Sequence, residues 1–167
     1  MAQALLVSRK DIVKFTSMNG NVDTDKFIQY IKIAQDIHIQ NYLGTELLDK
    51  IEADIIADTL TGDYATLVTD YVKPMLVHWA MVEYLPYAAY TISNKGVYKG
   101  SSENAENVDK NEIDFLIEKE RSIAQYYTER FIDYMSFNAT SKFSEYYSNS
   151  NEDVYPDKDS DFSGWVL

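Results

Sequence analysis

YVKPMLVHWAMVEYLPY, residues 71–87, is the stretch on which the fold turns. From Met75 the apolar run continues to Ile92, interrupted only by His78, Glu83 and Pro86 among its larger polar or rigid residues. A helix facing lipid would suffer from Glu83, so this is read as a buried helix at the centre of a bundle. It is apolar on almost every side, as a helix enclosed by neighbours must be. The surrounding segment, Tyr64 to Tyr90, is helical in composition but holds Pro74 and Pro86. Each proline removes a backbone donor and clashes one turn back, so each is expected to mark a kink or a restart.

Working outward, Ser8 to Thr16 predicts a short first helix with Ser8 as its N-cap. Asp11 stands three residues on, a near miss to the Glu or Gln that a capping box prefers. Asn19-Gly20-Asn21 ends it. A strong helix follows over 23–44, capped by Asp23 or Thr24, with Phe27, Ile31, Ala34 and His38 along one face and Ile28, Tyr30, Ile37 and Tyr42 beside them. Gly44 is placed at its left-handed end. Thr45 to Ala57 continues as an amphipathic helix through Leu47, Leu48, Ile51, Ile55 and Ile56, and Asp63 is expected to cap the next one.

Beyond the central helix, Tyr90, Thr91, Ile92, Val97 and Tyr98 favour strand around the turn residues Asn94-Lys95-Gly96. A last helix opens at Asp109 or Asn111. Ile113, Leu116, Ile117, Ala124, Tyr127, Phe131, Tyr134 and Met135 form its apolar face, with Glu118, Lys119, Glu120 and Arg121 in solvent opposite. From about Asn138 the chain turns polar and aliphatic-poor, too weakly apolar to order by itself as a domain. The expected fold is therefore all-α: a small helical bundle over 1–137 with a long central helix, one short β-hairpin or extended loop near 90–100, and an extended arm over 138–167.

The totals agree with one domain of 167 residues. A net charge of −12 leaves no basic stripe for phosphates, although an acidic wall suits a channel through which DNA must slide without sticking. The chain has no cysteine, which removes disulfides, thiolate nucleophiles and Cys-rich zinc sites together. The opening residues lack the order of charges of a secretory signal. Both histidines, His38 and His78, lie in helices with no metal-binding spacing and are read as satisfied core or interface residues rather than ligands or bases. Nucleophile elbows, phosphate loops and dinucleotide fingerprints are absent. Glu46, Asp49, Glu52, Glu112 and Glu118 are ordinary helix carboxylates. DKDSD, residues 157–161, lacks the glycine and distal glutamate of a calcium loop. Neither catalysis, cofactor, metal nor membrane association is expected.

Tyr42-Leu43-Gly44, Glu83-Tyr84-Leu85-Pro86 and Ser93-Asn94-Lys95-Gly96-Val97, in this order among these helices, resemble the head–tail connector proteins of tailed bacteriophages, also called adaptor or neck-ring proteins, as in crAss-like and other Bacteroides-type phages. The resemblance spans roughly residues 8–137. It implies a structural virion protein without enzymatic activity, a ring homo-oligomer, usually twelve-fold, at the portal vertex. Such a ring joins head to tail, binds the portal protein and another neck or tail connector, and passes double-stranded DNA through its channel. The implied location is the virion neck, after assembly in the host cytoplasm. Extended arms tie subunits of the family to the portal or to neighbours. Here Phe143, Tyr146, Tyr147, Tyr155, Phe162, Trp165, Val166 and Leu167 are the expected arm contacts, ordering as they fill a partner's pockets. Ile92, Asn94, Lys95, Gly96, Val97 and Tyr98 of the hairpin are the expected contacts between subunits or rings, with Lys95 and Lys99 forming a small basic spot. The alternatives are an arm that folds back on its own domain, a hairpin that is a plain surface loop, a non-ring adaptor that binds one partner through this segment, and a carboxylate-metal enzyme.

Overall fold

A computed structural model describes residues 3–18, 24–88, 90–93, 96–99 and 109–159. The first helix, α1 (Arg9–Phe15), begins with a complete capping box. Ser8 Oγ accepts from the Asp11 amide, and the Ser8 amide donates to Asp11 Oδ2 at 2.8 Å. Aspartate therefore closes the box that its shorter side chain was expected to miss. Lys73 reaches the same carboxylate at 3.3 Å and ties α1 to the centre of the bundle. Burial alone would raise the Asp11 pKa, but the bonds from Ser8 and the charge of Lys73 hold it below its ordinary value.

The second helix is one rod in three pieces: α2 (Thr24–Ala34), a π-helical turn (Gln35–Ile39) and α3 (Gln40–Leu43). Its cap lies outside the described residues. Phe27, Ile31 and Ala34 are buried as the period predicts. The π turn then shifts the phase by inserting a residue, so Gln35, Ile39, Tyr42 and Leu43 face the core and His38 moves to its rim. Gln35 uses its buried position fully. Its Oε1 accepts from the Leu6 amide at 3.1 Å, while its Nε2 donates to Ala4 O at 2.7 Å and Glu52 Oε1 at 2.8 Å. This network sews residues 4–7 onto the bundle and satisfies a carboxylate that burial raises above its usual range.

Gly44 joins α3 to α4 (Thr45–Ile56) with φ 78° and ψ 158°. This is not the left-handed helical cap expected from sequence but a region essentially restricted to glycine. In α5 (Gly62–Leu67) the N-cap is Thr61, without a side-chain bond, so Asp63 does not cap it. Asp63 instead pairs with Lys142 at 3.2 Å.

A second π turn (Val68–Val72) leads into α6 (Lys73–Tyr84), the predicted central helix. Every residue from Met75 to Val82 is buried, and the helix packs chiefly on α2 and on α7 (Lys110–Lys142). Each large apolar side chain so enclosed is worth roughly 1.5–3 kcal/mol. Pro74 restarts the helix just past the π turn, where it has no backbone N–H to donate. Arg130 of α7 donates to Asp70 O at 3.4 Å while lying over the Tyr71 ring. Pro86 ends the helix in a 3₁₀ turn, Leu85–Tyr87. The expected hairpin follows, β1 (Tyr90–Ser93) antiparallel to β2 (Gly96–Lys99), with Tyr90 opposite Lys99 and Ser93 opposite Gly96. Its predicted contacts Ile92, Val97 and Tyr98 lie in paired backbone, Ile92 opposite Val97 and Tyr98 opposite Thr91; Asn94 and Lys95 lie outside the described residues.

The last helix is capped by Asp109, with Glu112 completing the box. Leu116, assigned to its apolar face, is 44% exposed. Glu120, assigned to solvent, turns inward to His78. The larger correction is length. α7 runs past Asn138 to Lys142, and the chain turns so that Phe143 and Tyr146 enter the core, 0% and 2% exposed. Neither is free to fill a partner's pocket. Phe143 meets the Tyr64 ring edge-on at 5.1 Å, and Tyr64 donates to Glu145 at 2.7 Å. The bundle therefore takes up the first part of the segment assigned to an arm, because two aromatics three residues apart supply apolar area that a count of aliphatics overlooks.

Candidate partner-binding site

After a 3₁₀ turn, Ser144–Tyr147, the chain crosses the α3–α4 corner as a strap. Thr45 donates its amide to Val154 O at 3.0 Å, and the Val154 amide returns to Thr45 Oγ1 at 3.1 Å. The Asp157 amide donates to Asn41 O at 2.8 Å. Between these bonds Pro156 is buried on Gly44, so close that a Cβ there would stand 2.7 Å from both Pro156 Cδ and Cγ. Glycine is thus required at 44 twice, for its backbone angles and for what lies on it. Glu46 fixes the approach of the strap by accepting from the Ser150 amide and hydroxyl and from the Asn151 amide. Hydrogen bonds from Ser148 and Ser150 hold its carboxyl below the ordinary range.

Beyond Pro156, Lys158 closes the strap. Its ammonium lies 4.2 Å from the Tyr147 ring centre, 4.4 Å from Tyr155 and 5.0 Å from Tyr146, and donates to the Tyr155 hydroxyl at 2.7 Å. Three electron-rich faces around one cation form an aromatic cage filled by the chain's own lysine. Tyr147 and Tyr155 remain about half exposed on its outer side. Burial, followed by the neighbouring Tyr147, Asp157 and Tyr155, raises the Tyr146 phenol well above its ordinary value.

Of the eight arm residues proposed from sequence, Phe143 and Tyr146 therefore belong to the core, and Tyr147 and Tyr155 form the rim of the strap. Phe162, Trp165, Val166 and Leu167 lie outside the described residues. Gly44, Glu46, Pro156 and Lys158 were missed. A proline and a lysine beside Tyr155, following the Tyr146-Tyr147 pair, are the signal that was available.

The histidines are satisfied, as expected, but by carboxylates that sequence spacing did not offer. His38 Nε2 lies 2.8 Å from Glu83 Oε1 with its ring stacked on Trp79, centres 4.0 Å apart. His78 Nδ1 lies 2.7 Å from Glu120 Oε2, its ring parallel to Tyr127. Trp79 Nε1 donates to Thr128 Oγ1 at 3.0 Å. These partners come from different helices, so the pairs bolt α6 to both neighbours. Burial lowers the His38 pKa, outweighing the raising influence of Glu83, so the neutral ring is favoured. Among the described residues no group of three or more His, Asp or Glu side chains is arranged to hold a metal ion.

Fold and strap together define a small all-α bundle whose α3–α4 corner is covered by residues 148–159 of the same chain. The chain belongs to DUF6712, a family of unknown function, whose model matches residues 39–155. That match takes in both Gly44 and the strap residue Val154 that bonds beside it. No curated protein and no solved structure matches the chain.

Proposed function

We propose that the protein is a structural, non-enzymatic subunit of a phage head–tail connector ring. In this reading it binds the portal on one side and another neck protein on the other. The observation that carries the reading is the strap: bonds to Asn41 and Thr45 and the tyrosine cage hold residues 154–158 on the body. Phe162, Trp165, Val166 and Leu167 follow within a few residues of that anchor and are the partner contacts. A tryptophan seated in a partner's pocket contributes on the order of 2 kcal/mol or more, and repetition around a ring turns weak single contacts into a durable joint. The resemblance in residues 8–137 and the charge of −12 support the same reading, since an acidic lumen repels DNA in transit.

The test is electron microscopy of the protein mixed with the portal from the same genome, comparing the full chain, a chain ending at Asp159, and Trp165→Ala. Cutting at 138 would remove Phe143 and Tyr146 from the core and confuse unfolding with lost binding. A ring on the portal that disappears with residues 160–167 supports both the role and the contacts. A ring that survives keeps the role and moves the contacts to the bundle. A one-to-one complex without a ring would replace the connector with a simple adaptor.

A further inference from the structure

Along the outer face of α7, three large aromatics point away from the bundle: Phe115 at 69% exposed, Tyr126 at 62% and Phe137 at 87%. They are spaced by eleven residues, close to three full helical turns, so they fall on one line about 16 Å apart. The opposite face, through Ala124, Thr128, Phe131, Met135 and Ala139, is buried in the bundle. Among the described residues, packing on other elements of the chain does not account for the aromatic line. On an acidic, soluble surface three such rings are costly to leave in water.

One pair of charges on this line is self-complementary about Tyr126. The exposed Glu129 and Arg130 beside it face Ile123 and Ser122 in the same register, and Arg130 is engaged with Asp70 O and the Tyr71 ring. Lys119 stands seven residues before Tyr126 and Asp133 seven residues after it; both are exposed. Neither makes an ion pair among the described residues. If a second α7 is laid antiparallel across the first with Tyr126 on the two-fold axis, Tyr126 meets its equivalent. Phe115 then faces the partner's Phe137, and Lys119 faces the partner's Asp133, each twice. A two-fold interface requires this self-complementarity, in which one residue contacts a second and the second contacts the first.

We propose that the outer face of α7 is a homodimer interface in which two copies pair antiparallel about Tyr126. Three aromatics on each side supply on the order of 100–200 Å² apiece, placing the contact near 1,000 Å² in all, the lower end of specific interfaces. The dimer is accordingly of modest affinity and reversible. This contact is isologous and closes on itself, so it differs from the head-to-tail contact that builds a ring, and it stands or falls independently of the connector reading.

Sedimentation of the full chain up to about 1 mM tests it directly, since the weakest specific pairs dissociate in that range. The mass is expected to rise from one chain to two. Lys119→Asp and Asp133→Lys should each weaken the pair about tenfold, because each places like charges together at two symmetric points. The double swap should restore the affinity to within about threefold, which a merely sticky surface would not do. Because the chain has no cysteine, Phe115→Cys and Phe137→Cys copies offer a second reading: a short thiol cross-linker should join them when mixed but should not join either alone. All four positions are exposed, and circular dichroism checks that each variant keeps its helices. A mass of one chain at every concentration overturns the proposal. So does a dimer that ignores the single charge changes, or one that the double swap fails to restore.

Discussion

Gly44→Ala is the substitution that best isolates the corner beneath the strap. Its cost has two separable parts. Holding alanine at φ 78° and ψ 158° costs about 1–3 kcal/mol in backbone strain. The new methyl would also stand 2.7 Å from Pro156 Cδ and Cγ, a distance that real contacts do not sustain, so the strap must lift. Lifting it breaks the Thr45–Val154 and Asp157–Asn41 backbone bonds, each worth a net ~0.5–1.5 kcal/mol. The sum is a loss of about 2–6 kcal/mol, a fall in Tm on the order of 10 °C for a chain of this size. Pro156→Ala removes the two clashing atoms but leaves the backbone angles of residue 44 unchanged. In urea titrations the double variant should therefore be about 1–2 kcal/mol more stable than the two single losses added together. Strict additivity would mean that the strap does not lie on Gly44. A loss below about 1 kcal/mol for Gly44→Ala alone would mean that the corner is not held at positive φ.

Phe143→Ala should cost about 3–5 kcal/mol by thermal melting, as for any large core aromatic, whereas Tyr147→Ala on the strap rim should cost less than half as much; equal losses would contradict the division between them. The lowered pKa of Glu46 means that its contribution is present above its ordinary value near 4.5 and is lost as pH falls through the lower folded value. Amide protection at Ser150 and Asn151 should therefore fall in acid, and Glu46→Gln should flatten that dependence. His38 has its pKa lowered mainly by burial, so the unfolded chain binds the extra proton first. Stability should decline as pH drops below about 6.5, and a His38→Gln variant that keeps the same slope in urea midpoints between pH 8 and 5 would refute this origin.

Much of the bundle was legible because helices advertise their period. α6 was recognisable from its lack of a polar side, and α7 from Asp109 through Met135. The misreadings share a cause. The π turn at Gln35–Ile39 shifts the buried face by a residue, which no fixed period of 3.6 anticipates, and so His38 was assigned to the face that Gln35 and Ile39 occupy. Glu120 looked solvated because its partner His78 is 42 residues distant. The strap was least visible: its bonds join residues more than a hundred positions apart, and its ingredients resemble an unstructured segment until Gly44 is seen to leave a space for Pro156. Of the expected arm, residues 143–159 pack on or cross the bundle, and Phe162, Trp165, Val166 and Leu167 lie outside the described residues.

The strap also has a mechanical consequence. A pull on the chain beyond Asp159 would reach the bundle through Lys158 in its cage and then through the Asp157–Asn41 and Val154–Thr45 bonds. Those bonds sit at the junction of α3 and α4, so the load divides between two helices. A tether anchored in this way resists detachment by several contacts loaded together, and the core aromatics Phe143 and Tyr146 are engaged only after the strap has peeled.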